Sequence, residues 1–213
     1  MSRRNMETQQ LAILQQRRSV GNFTDQAVPR DILLELLEYA TMAPSAGNRQ
    51  GWRFIIVNDL SLIQMLVNKG GSSTIGKSPC GILVTYEKYT LTPDYRDDLQ
   101  TAAACIQNLL LAAQAYSLGA CWVTTLPAQS TLRKIFKIPR YYSSVAYVAV
   151  GFSADTQVRN VPRINKLPDI VAENIFPMQA LLARPTENGH YLKRLLPWAY
   201  RKLPASLRGQ LKK

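Results

Sequence analysis

Ala43-Pro44-Ser45-Ala46-Gly47-Asn48-Arg49-Gln50-Gly51-Trp52 leads almost directly into Phe54-Ile55-Ile56-Val57. The first part is made of turn formers and small polar residues. The second is a short continuous apolar run, the pattern of a buried strand. A loop of this composition gathers backbone groups with Asn and Gln side chains. Those groups match the alternating donors and acceptors on the edge of a flat pyrimidine-like ring. Small residues also let the backbone approach a ligand closely. The stretch reads equally well as a capped helix end leading into a strand, and these residues alone do not choose between the two.

Working upstream, Arg17-Arg18-Ser19-Val20 sets two guanidinium groups beside a hydroxyl. A phosphate monoester is bound best by guanidinium forks together with a hydroxyl or backbone donor. A solvated basic turn is the plainer account of the triplet. Taken with the later loop, it suggests a split site for a ligand with a phosphate at one end and a flat polar ring at the other.

The surrounding periodicity predicts alternating helices and strands. Residues 7–18 form a short helix, and Gly21 to Asp25 a loop. Pro29 and Asp31 open a helix with Ile32, Leu33, Leu36, Leu37 and Ala40 on one face, ended by Pro44. A strand covers Phe54–Val57, a helix Leu60–Val67, a Gly/Ser loop Lys69–Ser78, and a strand Ile82–Tyr86. The longest helix spans Asp97–Ser117, with Gly119 suited to the left-handed position past its end. A strand follows at Cys121–Thr125, a short helix after Pro127, and a strand at Val145–Val150. The class is α/β or α+β with helices on both sheet faces.

Composition narrows the chemistry. The 213 residues suffice for one sizeable core, and no run approaches the roughly 18 apolar residues of a membrane span. The start lacks the apolar core of a secretion signal, so an intracellular, cytoplasmic protein is expected. Cys80, Cys105 and Cys121 lie in apolar stretches without CxxC spacing and read as buried thiols. The single histidine is His190. A histidine-based triad would depend on it alone, and a His-rich metal site is excluded, so no metal is expected. A reactive group therefore has to come from a cofactor.

The order and spacing of these segments resemble the FMN-dependent nitroreductase family over roughly residues 10–175. The Arg17-Arg18-Ser19 segment, the Ala43–Trp52 stretch, Gln107-Asn108-Leu109-Leu110 with Leu118-Gly119-Ala120-Cys121-Trp122, and Ala149-Val150-Gly151-Phe152 carry the likeness. It implies an α+β fold, a three-layer α/β/α sandwich with a central mixed sheet, in an intertwined homodimer with FMN at the interface. Carried over by position, Arg17, Arg18 and Ser19 would hold the FMN phosphate and ribityl end from one subunit. Pro44, Ser45, Ala46, Asn48 and Gln50 would come from the other. Backbone near Thr124 and Thr125 would pass the reactive flavin nitrogen, and Arg163, assisted by Lys166, would bind phosphate. No side chain is assigned a catalytic role.

Two positions depart from the family pattern. Gly51 stands where proline is usual. Gly21 stands where many members continue with a cation, for which Lys77 is a candidate substitute. The implied reaction passes a hydride from NADH or NADPH through FMN to a small-molecule acceptor such as a nitroaromatic or quinone. Tyr95 and Phe136 are candidate pocket aromatics. Competing readings are a flavin-binding module with little turnover, or a superfamily branch such as a reductive dehalogenase or flavin destructase.

Residues 1–183 form the expected FMN-binding domain and 184–213 a basic extension. The extension holds eight Lys/Arg against one acid, Glu187. Packing on the partner subunit is the favoured role for it. Peripheral docking on an anionic membrane surface through its leucines, Trp198 and cations is the alternative. No nucleic-acid module is recognisable, so nucleic acid is not an expected partner.

Overall fold

A computed structural model describes residues 11–155 and 167–175. Two compact units divide between Arg159 and Asn160, and the second contributes residues 167–175 to the described residues, a short helix Leu167–Ile170 and the turn after it. The basic extension and the expected boundary at 183/184 lie outside them.

The first unit is built on four strands, β1 (Trp52–Val57), β2 (Cys80–Glu87), β3 (Gly119–Val123) and β4 (Tyr142–Gly151), in the order β1-β2-β4-β3. Among the described residues all three ladders are antiparallel, where a mixed sheet was expected. The one parallel pairing among the described residues is the isolated bridge Ser19–Ala120. Alternation of helix and strand in sequence does not fix direction, because a long connection can return a strand either way.

Six helices accompany the sheet: α1 (residues 11–16 of the described chain), α2 (Arg30–Thr41), α3 (Leu60–Asn68), α4 (Ser73–Gly76), α5 (Asp97–Ala115) and α6 (Gln129–Phe136). In α2, Asp31 lies in the first turn and Leu33, Leu36 and Ala40 are buried on one face. The helix stops at Thr41, two residues before the Ala43-Pro44 pair, where proline disfavours helical backbone in its predecessor. The Asp59 carboxylate caps α3 by accepting from the amides of Ser61 (2.8 Å) and Leu62 (3.4 Å). The Ser61 hydroxyl, which donates to the same oxygen (2.7 Å), and then the amides hold its pKa below the ordinary value. The expected Gly/Ser loop at 69–78 contains α4, whose first turn is capped by the Ser72 hydroxyl.

The period-two alternation of β2 sorts the core. Cys80, Ile82, Val84 and Tyr86 join a cluster with the buried faces of α2 and α5. Leu83 joins another with Ile63, Leu66, Ile75 and Leu132 from α3, α4 and α6. Tyr147 of β4 is fully buried in the second cluster, its ring lying over Gly81.

Gly119 does not terminate α5. Ser117 takes the left-handed conformation (φ 57°), and Gly119 is the first residue of β3. A Cβ there would lie 2.8 Å from Val20 Cγ1, so the glycine admits the close approach of the Arg17–Val20 segment.

Candidate functional site

The basic turn follows α1 and is fastened to the sheet. The Arg17 amide donates to Ile13 O (3.0 Å), and the Val20 amide to Ala120 O (3.1 Å). Beyond it, the Thr24 amide donates to Phe152 O (2.9 Å), and Phe23 forms an antiparallel bridge with Ser153. Arg17 and Arg18 are half-buried and Ser19 is exposed. Arg18 folds back, donating through Nη1 to Gln15 O and to Arg17 O (2.9 Å). The ion pairs among the described residues, Arg49–Glu87 and Arg96–Asp98, involve neither arginine of the turn. A Cβ at Gly21 would meet nothing within 4 Å, so the turn opens into free space there. Lys77 Nζ donates to Asn22 Oδ1 (3.2 Å), beside Gly21, while Asn22 Nδ2 donates to Asp155 Oδ1 (3.1 Å).

The second half is the loop between α2 and β1. Gly47 (φ 57°), Asn48 (φ 54°) and Gln50 (φ 51°) all have left-handed backbone. Glycine and asparagine accept that conformation readily; for Gln50 it costs on the order of 1 kcal/mol. Side chains within the loop hold it. Ser45 Oγ accepts from the Gln50 amide (3.2 Å), Ser45 O from the Asn48 amide (2.9 Å), and Asn48 Oδ1 from Gln50 Nε2 (2.8 Å). From outside, Thr101 Oγ1 of α5 accepts from the Ala46 amide (3.2 Å). Arg49 Nη2 pairs with Glu87 Oε2 at 3.1 Å, and its guanidinium lies 3.7 Å from the Tyr89 ring centre. Gly51 is buried, and a Cβ on it would sit 3.1 Å from Glu87 Cβ and 3.2 Å from the Tyr86 ring. This close approach to β2 accounts for glycine at that position.

The sequence did not reveal Thr101, Glu87 or Tyr89 as supports, because their partners are 38 to 55 residues away in the chain. Thr124 and Thr125 lie just past β3 rather than within it, and both are exposed. Thr125 O accepts from the Ser72 amide (2.9 Å), which joins this segment to the α4 cap. Arg163 and Lys166 lie outside the described residues. Phe136, with Arg53, Lys137, Tyr141 and Tyr142, lines a cavity of about 340 Å³ on the Leu83 face of the sheet, where Tyr141 O accepts from the Lys88 amide (2.8 Å).

Sheet register shows how the halves relate. Ser19 bridges Ala120, which pairs with Val150, and Val150 pairs with Cys80 at the start of β2. The Ser45–Gly51 loop sits against Glu87 at the end of β2, where the Glu87 amide donates to Gly51 O (3.1 Å). Cys80 and Glu87 are seven residue steps apart along β2, a span of about 24 Å at ~3.4 Å per step. Within one chain the cationic turn and the amide-rich loop therefore stand at opposite ends of the sheet.

The thiols supply no nucleophile. Burial pushes Cys80 up to about 11 and Cys105 up to about 12, and raises Cys121 as well. Among the described residues no group of three or more His, Cys, Asp or Glu side chains could hold a metal, and no helix is long and apolar enough to cross a membrane. The turn carries guanidinium and hydroxyl groups, and the loop carries amide and backbone groups. That donor set fits a phosphate-bearing ligand with a flat hydrogen-bonding ring.

The profile of the Nitroreductase family matches residues 14–152. A candidate NADH dehydrogenase/NAD(P)H nitroreductase of Archaeoglobus fulgidus is 28% identical over 152 residues, covering 68% of this chain and 86% of that protein. The 5,6-dimethylbenzimidazole synthase of Rhodospirillum rubrum is 25% identical over 185 residues, covering 73% and 86%. Among solved structures, a candidate nitroreductase in complex with FMN from Desulfovibrio desulfuricans is 29% identical. It covers 78% of this chain and 97% of that one, at a TM-score of 0.68.

Proposed function

Since the chain belongs to the nitroreductase family, we propose that it is an FMN-dependent oxidoreductase working as a homodimer of three-layer subunits. The observation that carries this reading is the separation of the two half-sites along β2. A second copy, related by a two-fold axis, brings the Arg17–Ser19 turn of one subunit beside the Ser45–Gln50 loop of the other. Each dimer then has two equivalent sites, and no single chain completes one.

Bound FMN would supply the redox chemistry, taking a hydride from NADH or NADPH and passing electrons to a small nitroaromatic or quinone acceptor. The chain's own residues bind and orient. Arg17, Arg18 and Ser19 hold the phosphate and ribityl end, with Arg163 and Lys166 as further phosphate ligands. Pro44, Ser45, Ala46, Asn48 and Gln50 present backbone and amide groups to the ring edge. The backbone around Thr124 and Thr125 lies against the reactive face. No side chain has to act as nucleophile or general base, which suits a chain whose thiols are protonated at neutral pH and whose only histidine is His190.

The test is an absorption spectrum of the purified protein, followed by anaerobic NADH and then NADPH. A flavin band that bleaches and returns on adding 1,4-naphthoquinone is expected. A band that persists with both donors would sink the reductase assignment and leave a flavin-binding module. Likeness to the dimethylbenzimidazole synthase keeps a second reading in view, in which flavin itself is consumed. That reading requires the band to be lost irreversibly in air, with a new aromatic product.

A further inference from the structure

We infer that the cavity between β1 and the α6–β4 connection is a binding site for a small aromatic anion, whose charge meets Arg53 and Lys137 and whose ring meets Tyr141 and Tyr142. The inference stands apart from the flavin assignment, because none of these residues belongs to either half-site.

The cavity measures about 340 Å³, at the lower end of the ~300–1,000 Å³ of small-molecule sites, so it suits one or two rings rather than a dinucleotide. Its lining comes from three parts of the chain. Arg53 of β1 and Thr85 of β2 are paired in register. Phe136 and Lys137 come from the end of α6, and Tyr141 and Tyr142 from the start of β4. The sheet is irregular at this place. The β2–β4 register shifts between Val84 and Thr85, and the Gln129 side chain bonds both backbone groups of Ser144, donating to its carbonyl (2.6 Å) and accepting from its amide (3.0 Å). A bulge bends its strand and re-aims the side chains beside it.

The lining is cationic and aromatic. Arg53 Cζ lies 5.7 Å from the Tyr142 ring centre, within cation–π range. Among the described residues its guanidinium makes one hydrogen bond, from Nη1 to Trp52 O (2.7 Å). The Tyr141 and Tyr142 rings are 5.0 Å apart and tilted by 51°, and Tyr141 is 61% exposed, which leaves a face for a third ring. Arg133 of α6 holds Tyr142 in place by donating Nη2 to its carbonyl (3.2 Å). No carboxylate lines the cavity. Glu87, two residues beyond Thr85 on the same face of β2, is already paired with Arg49 at 3.1 Å. Among the described residues neither Arg53 nor Lys137 takes part in an ion pair. Lys137 moreover has left-handed backbone (φ 54°) just past α6, where glycine would sit at lower cost. Two cations without carboxylate partners beside tyrosine rings suit an anion with a π face better than a neutral ring or a bare ion.

The test is calorimetric titration of the full chain with 2-naphthoate, once with FMN added and once without. A binding step present in both forms is expected. Lys137→Gly and Arg53→Gln should each weaken that step about fivefold or more. Lys137→Gly should keep or raise the midpoint of urea unfolding, since glycine accepts the left-handed backbone, so its lost affinity cannot be put down to a damaged fold. Naphthalene-2-carboxamide lacks the charge and cyclohexanecarboxylate lacks the aromatic face; each should bind at least about fivefold more weakly than 2-naphthoate. Unchanged affinity in both variants overturns the inference, as does equal affinity for the amide or for cyclohexanecarboxylate. A 2-naphthoate step that appears only with FMN belongs to the flavin site and overturns it too. A protein that takes up no FMN loses the proposed function, whereas this cavity stands or falls on the titration without flavin.

Discussion

Gly81 and Tyr147 show how closely single residues are fitted. A Cβ at Gly81 would fall 2.3 Å from the Tyr147 ring, and the ring is fully buried between β2, β4 and the α3 side of the core. Neither partner has room to move, so Gly81→Ala should destabilise the protein by about 3 kcal/mol, read as a lowered midpoint in urea with an unchanged slope. An unchanged midpoint would mean the ring is not where it is placed. Gly119 makes a parallel case beside the functional site. Gly119→Val should push Val20 off β3 and weaken FMN binding, measured by fluorescence titration. Both glycines look alike in the sequence, where Gly119 suggested a helix terminus. Its true reason, a contact with Val20 ninety-nine residues away, is not a local property.

At the level of elements, Asp97 links the start of α5 to the preceding loop, and its effect depends on pH. Hydrogen bonds, first from the Thr90 hydroxyl, hold its pKa well below the usual carboxylate range. A carboxylate depressed in the folded state stabilises above its unfolded pKa of about 4, and that contribution is lost as pH falls through the folded value. Hydrogen exchange at the Leu91 and Thr92 amides, which donate to this carboxylate, should therefore stay equally protected from pH 7 to about pH 4 and weaken only in stronger acid. In Asp97→Asn, protection should already be low at pH 7; equal protection in the two proteins would refute that link. The helices and strands themselves were mostly legible, because β1, β2, β4, α2, α3 and α5 each bury a regular face. Ends were less so: α2 stops ahead of Pro44 as expected, but β3 runs Gly119–Val123 rather than Cys121–Thr125.

For the whole molecule, the proposed function needs two chains, because its two half-sites stand at opposite ends of the sheet. Light scattering should give about twice the chain mass of 23.9 kDa, and an FMN-loaded monomer would contradict the arrangement. A subunit-mixing experiment is sharper. A variant with Arg17→Ala and Arg18→Ala, and another with Ser45→Ala and Asn48→Ala, should each bind FMN at least tenfold more weakly than the parent. Refolded together, they should form hybrids in which one of the two sites is wholly unaltered and binds FMN tightly. If each site lay within a single chain, every site in the mixture would remain impaired.

The sequence by itself determined the alternation of elements and the burial of Cys80 and Cys105. Both follow from local composition and periodicity, and the order of the segments was enough to point to the family. The antiparallel direction of every ladder, the role of Gly119, and the clamping of the Ser45–Gln50 loop by Thr101, Glu87 and Tyr89 were decided only by the tertiary structure. So was the distance that keeps the half-sites apart. Each depends on residues far separated in the chain meeting across a sheet, and pairing of that kind is set by packing of the whole core rather than by any one stretch of sequence.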